Sequence, residues 1–237
     1  MKVIILSSNK YKEKDCIYNA LSEQGSLSFK AKGAQDSKSQ FAWLNNVLTV
    51  ADVEFADGKY KYPILKNASL VSSSITGKDD LEYLFAISAL AEITKEMFDE
   101  NDRKVVFNDL LQAVDALKHG KDPRMVVLIF IAHCTKYAGM ELEVDKCVFS
   151  GSTSDIVAFS FSEGGFVSRE YVTEETAQDL TPQQMKLIRY CFKSPNFSCI
   201  DTEKYSKADK QVLLSKLKQF IDDMSGAVIR SLDYLIK

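Results

Sequence analysis

Between residues 72 and 77 the hydrophobic period of this 237-residue chain changes from about two to about 3.6, and this constrains the fold more than any other feature. Before that stretch, SSSITG, the chain reads as strands and turns. Val3, Ile4, Ile5 and Leu6 open a strand, residues 15–21 form a second and 26–32 a third, with Gly25 turning between the last two. Residues 44–55 are the longest β-type run, and Asp57-Gly58 predicts a hairpin into the alternating residues 59–65. Five short strands in about 70 residues predict a partly open, five-stranded barrel of the oligonucleotide-binding (OB) type.

After the polar stretch the pattern is helical, which predicts an α+β chain with domains at 1–78 and 79–237. Leu81, Leu84, Phe85, Ser88, Leu90, Ile93 and Met97 form the first apolar stripe, and a second helix is expected over about 104–119. The third is better delimited. Asp122 is its N-cap, Pro123 takes the first helical position, and Gly139 stops it, while residues 126–131 are apolar all round and so belong to the core. Residues 140–172 interrupt the helices with a small β-hairpin turned at Glu163-Gly164-Gly165. Thr181-Pro182 starts another helix to about residue 193, and Ser206 caps a final region that Gly226 divides.

The charge is mildly acidic overall but unevenly placed. Residues 1–78 hold 11 Lys against 7 Asp or Glu, a net +4, and the remaining 19 cations and 26 anions leave −7 in residues 79–237. The opening MKVIILSS has too few apolar residues for a signal-peptide core, and no run reaches the roughly 18 needed for a membrane span, so a cytoplasmic protein is expected. Five cysteines, with no Cys-x-x-Cys, predict reduced thiols, with Cys134 and Cys191 packed as small apolar groups.

Catalytic patterns are absent. Gly77-Lys78 lacks the rest of a phosphate-binding P-loop, no G-x-G-x-x-G follows a strand, and His119 and His133 read as helix-end and core residues. No enzyme and no cofactor is expected. The hairpin has the layout of a zinc hairpin, but Cys147 is its lone thiol and Ser150 and Ser168 stand where thiolates would be needed, so no metal is expected. Val148, Phe149, Ile156 and Phe166 are expected to hold it by packing.

The best binding candidate lies in SFKAKGAQDSKSQF, residues 28–41. Lys30 and Lys32, two apart on a strand, are expected on one face; Gly33 ends the strand and Lys38 follows in a polar loop. Such an edge suits a phosphate backbone, and the same pattern also serves as ordinary solvated surface. Lys10, Lys12 and Lys14 in the first inter-strand segment extend the track. Trp43, Tyr60 and Tyr62 are candidates for base stacking, with core packing favoured for Trp43.

Together these features resemble the bacterial RecO family. The resemblance runs through Glu13-Lys14-Asp15, the Glu23-x-Gly25 turn, Lys32-Gly33-Ala34 and Lys38-Ser39. It continues through Leu90-Ala91-Glu92, Phe107-x-x-Leu110-Leu111, Tyr137-Ala138-Gly139, Cys147-x-x-Ser150-Gly151, Phe159, Gly164-Gly165 and Ser231-Leu232-x-x-Leu235. It implies an OB barrel, a helical domain and an inserted zinc hairpin that some members have lost. It also implies DNA repair by recombination mediation: binding single- and double-stranded DNA, annealing complementary strands, and helping load RecA on DNA coated by single-stranded-DNA-binding protein. RecR and the acidic tail of the coating protein are the implied partners, and a nucleoid-associated location follows. Arg124 and Lys136, flanking the third helix, are candidates to receive that tail, and the same two residues read equally as ordinary helix-end charges. The competing expectation is an adaptor that recruits RecR and barely touches DNA.

Overall fold

The computed structural model describes residues 1–36, 38–74, 80–173, 179–198, 200 and 204–237. The boundary expected at 78/79 lies outside these residues.

Strands β1 (Lys2–Tyr11), β2 (Asp15–Ser22), β3 (Gly25–Ala31), β4 (Val50–Phe55) and β5 (Leu65–Ser72) form one antiparallel sheet in the order β3-β2-β1-β4-β5. The two ends of the sheet meet where Lys30 N–H donates to the Pro63 carbonyl at 2.9 Å and a parallel bridge joins Lys30 to Ile64. That closure makes an OB-type barrel. Alternation supplies its interior: Val3, Ile5, Tyr18, Ala20, Phe29, Ala31, Ala51 and Val53 point inward, and Tyr18 stacks on Phe29 at 5.4 Å.

Two strand expectations change. The run 44–55 opens as a 3-10 turn, Ala42–Asn45, and becomes a strand only at Val50. Asn side chains compete for the backbone there: Asn46 Nδ2 donates to the Trp43 carbonyl at 3.1 Å, and Asn45 Nδ2 to the Ala34 carbonyl at 3.2 Å. Residues 59–63 form a loop and not the expected strand. Pro63 has no N–H to give a ladder, so pairing resumes at Leu65.

The helices are α1 (Leu81–Glu96), α2 (Phe107–Lys118), α3 (Pro123–Tyr137), α4 (Pro182–Lys193), α5 (Lys207–Ser225) and α6 (Leu232–Ile236). Their caps follow from sequence. Asp122 accepts from Met125 N–H at 3.0 Å, Thr181 and Gln184 form a reciprocal capping box, and Gly226 ends α5 at φ 70°. As expected, α3 is buried on every side from Met125 to Ala132. The α1 stripe is corrected: Leu81 and Leu84 are exposed, and Tyr83, Ala86, Ile87, Leu90 and Ile93 make the buried face. This face packs against α3.

The insertion contains β6 (Glu143–Cys147), β7 (Ile156–Ser160) and β8 (Gly165–Ser168), ordered β6-β8-β7, so the expected hairpin gains a third, parallel strand. Gly165 permits this, because a Cβ there would run into the Glu143 backbone.

One hydrophobic core joins barrel and helices. Ile4, Leu6 and Leu21 point out of the barrel and, with Leu48 and Val50, pack into the core that contains Leu90, Phe107 and Phe130. The helical part therefore covers one end of the outer face of β1 and β2. The other end, toward Tyr11, is left open.

Candidate nucleic-acid interface

The open end of the barrel is where the sequence-derived lysines gather. Lys10, Lys12 and Lys14 lie on the β1–β2 hairpin, and Lys32 and Lys38 on the loop after β3; all five are exposed. Three hydrogen bonds donated by Gln35 lock these segments together. Gln35 Nε2 donates to the Asp15 carbonyl at 2.7 Å and the Lys12 carbonyl at 3.2 Å, and Gln35 N–H donates to the Lys14 carbonyl at 3.1 Å. Gly33 N–H donates to Asp15 Oδ1 at 3.0 Å, and Gly33 adopts φ 68°, which suits glycine at the strand exit.

Lys30 differs from the others. Its ammonium lies 3.1 Å from Asp15 Oδ2, with both side chains about one-fifth exposed, and 5.4 Å from the Tyr11 ring centre. Lys12 approaches the same ring at 5.7 Å. Tyr11, Asp15 and Lys30 share the outer face, as their register requires: Tyr11 pairs with Asp15, and Lys30 with Ile17. The Gly33 N–H is the largest influence on the Asp15 carboxyl; with Lys30 and the charge of Lys12 it outweighs partial burial and holds the group below its usual pKa. Lys32 falls beyond the last residue of β3, in a turn, so it does not extend the face of Lys30 as strand spacing predicted.

The loop 56–64 joins this end, because the Pro63 carbonyl bonds to Lys30. It carries Lys59 and Lys61 exposed, Tyr60 exposed, and Tyr62 half-buried with the Lys61 ammonium 5.6 Å from its ring. Trp43 instead packs against the barrel core and donates Nε1–H to the Gln40 carbonyl at 2.7 Å. Tyr11, Lys59 and Lys61 were not singled out from sequence. Their signal was present, since each is an aromatic or basic residue beside a turn, but only barrel closure brings the two loops to one edge.

The helical-domain candidates are not brought together. Arg124 is buried, donates Nε–H to the Leu235 carbonyl at 2.9 Å, and pairs with Glu82, which also holds Lys207 at 2.9 Å. It ties α1, α3 and α6 together and presents no free cation to a peptide. Lys136 is exposed, 3.7 Å from Glu141, and about 18 Å further along α3 at 1.5 Å per residue.

The histidines occupy structural places. His133 lies 3.2 Å from Asp109 and 2.8 Å from the Ser194 carbonyl; burial lowers its pKa, and these partners, Asp109 foremost, raise it beyond that. His119 is exposed at the end of α2 beside Asp115. In the small sheet, Ser168 donates both N–H and Oγ–H to the Cys147 sulfur at 3.3 Å. Burial raises that thiol's pKa, but the donors of Ser150 and Ser168 outweigh it and bring it to about 6. Neutral hydroxyls around one thiol do not fit a zinc ion, which takes four Cys or His ligands. Phe166 packs into the core as expected, whereas Phe149 is exposed and stacks on Tyr171 at 5.4 Å. The described cysteines 16, 134, 147 and 191 are free thiols. Among the described residues no helix is long and apolar enough to cross a membrane.

Comparison with known proteins agrees with this architecture. Residues 1–74 match the model of the recombination protein O N terminal region, and residues 78–233 match that of its C terminal region. The DNA repair protein RecO of Halalkalibacterium halodurans is 25% identical over 237 residues, covering 98% of this chain and 92% of that protein. The DNA repair protein RecO of Bacillus cytotoxicus is 22% identical over 236 residues, covering 98% and 94%. With both regions matched in order over an OB barrel and a helical domain, this chain belongs to the RecO family.

Proposed function

We propose that the protein is a DNA repair and recombination mediator that acts by binding, without turnover. The observation that carries this reading is the single cationic end of the barrel, where two loops and the edge of β3 are hydrogen-bonded into one unit bearing Lys10, Lys12, Lys14, Lys30, Lys32 and Lys38. Ammonium groups on long stems bind phosphates and leave base edges free, which is what annealing requires. In this reading the protein binds single- and double-stranded DNA, anneals complementary strands, and helps load RecA on DNA coated by single-stranded-DNA-binding protein. RecR and the tail of the coating protein are its partners, and it works in the cytoplasm at the nucleoid.

Annealing by the purified chain, with no partner present, tests this. Complementary dye-labelled strands should pair at least ten-fold faster with the protein than without it. Spontaneous-rate pairing would instead favour an adaptor that recruits RecR.

A further inference from the structure

Annealing needs two strands held at once, and the barrel end is one surface. A second cationic cleft lies in the helical domain, on α4, whose main packing is against α3, α5 and the small sheet. Helix α4 carries Lys186, Arg189 and Lys193 at i, i+3 and i+7, and no acidic residue. The stripe spans about 10 Å along the helix. Lys204 reaches the same cleft from the segment before α5, with its ammonium 5.7 Å from the Tyr190 ring centre and 5.6 Å from that of Tyr205. These six side chains line a cavity of about 420 Å³.

Among the described residues, Asp145 is the one carboxylate paired with these cations, shared between Arg189 at 2.8 Å and Lys193 at 2.6 Å. Lys186 and Lys204 make no ion pair among the described residues; Asp201 and Glu203 lie outside them. A cation at a helix C-terminus stabilises the helix dipole, which explains Lys193 but not the arrival of Lys204 from another segment. The Tyr190 and Tyr205 rings pack beside the cleft, tilted 52° to each other with centres 5.9 Å apart, and the Tyr205 hydroxyl donates to the Lys186 carbonyl at 3.3 Å.

We propose that this cleft is a second nucleic-acid site that holds the backbone of a second single strand while the barrel holds the first. The proposal rests on the mediator reading above and assigns where its second strand lies.

The test uses the full chain and a dye-labelled ten-nucleotide oligothymidine, titrated to saturation at low salt, together with annealing of complementary strands. The wild-type chain should bind two oligonucleotides. Lys186→Glu/Lys204→Glu should bind one, with the remaining affinity changed less than three-fold and annealing slowed at least ten-fold. Lys186→Gln/Lys204→Gln, which removes the charges without reversing them, should show the same loss of stoichiometry if charge reversal disturbs folding. A Lys30→Ala/Lys32→Ala/Lys38→Ala variant should also bind one. The proposal is overturned if both cleft variants still bind two and anneal at the wild-type rate, if the wild-type chain binds only one and the barrel variant none, or if the cleft variants lose only binding of an acidic peptide. Failure of the wild-type chain to bind any oligonucleotide would defeat the mediator reading itself.

Discussion

Asp15 is the residue that sets the strength of the barrel site. It is the carboxylate on Lys30, and it also accepts from Gly33 N–H through its other oxygen. Asp15→Asn keeps an oxygen for Gly33 and removes the charge that competes with phosphate. Single-strand affinity at low salt should therefore rise about three- to ten-fold, read by fluorescence anisotropy; weaker or unchanged binding would show that Lys30 meets no phosphate. The pH sign is fixed by the same contacts. A carboxyl with a lowered folded pKa stabilises the fold above its unfolded value, near 4, and loses that contribution as pH falls through the folded value. The stability gap between wild type and Asp15→Asn should thus be present at pH 7 and close in acid, as urea midpoints at both pH values would report. Lys12, Lys14, Lys32 and Lys38 were visible in the sequence as charges beside turns. The pairing of Lys30 with Asp15 was not, because it depends on the register of β2 against β3.

At the scale of elements, caps and periodicity were legible and partners were not. Asp122-Pro123 and Thr181-Pro182 announce α3 and α4, since the chemistry of a helix start is local. What α3 meets is decided by chain segments more than a hundred residues away, as with the bond from Arg124 to the Leu235 carbonyl. A flanking arginine on an apolar helix therefore reads as a free end charge and is a buried cross-tie. Arg124→Ala should lower stability by about 2 kcal/mol, since it removes charge-assisted hydrogen bonds but leaves Glu82 paired with Lys207. Lys136→Ala, at an exposed site, should change it by less than about 0.5 kcal/mol. Urea unfolding of the two variants checks this, and equal effects would contradict the assigned roles. The misplaced fifth strand has a similar origin: alternating Lys and Tyr in 59–62 imitates a strand, and Pro63 withholds the ladder.

For the whole molecule, the two family regions share a core, and this was not legible from a pattern that divides so clearly at residues 72–77. Alternation says which strand residues face together; it does not say that the outer Ile4, Leu6 and Leu21 also need covering. Each such side chain contributes roughly 1.5–3 kcal/mol when buried. An isolated fragment of residues 1–74 should therefore be several kcal/mol less stable than the barrel within the full chain and should self-associate, as sedimentation and urea unfolding would show. A monomeric fragment with the full-chain midpoint would contradict the shared core. The same coupling fixes which end of the barrel stays open, and that end holds the lysines. The most direct measurement is the salt dependence of single-strand binding by the full chain and by its Lys30→Ala/Lys32→Ala/Lys38→Ala variant. At about 0.7 per phosphate, the slope of log affinity against log salt should flatten by about 2 units in the variant; an unchanged slope would mean that the cationic end of the barrel does not hold the DNA backbone.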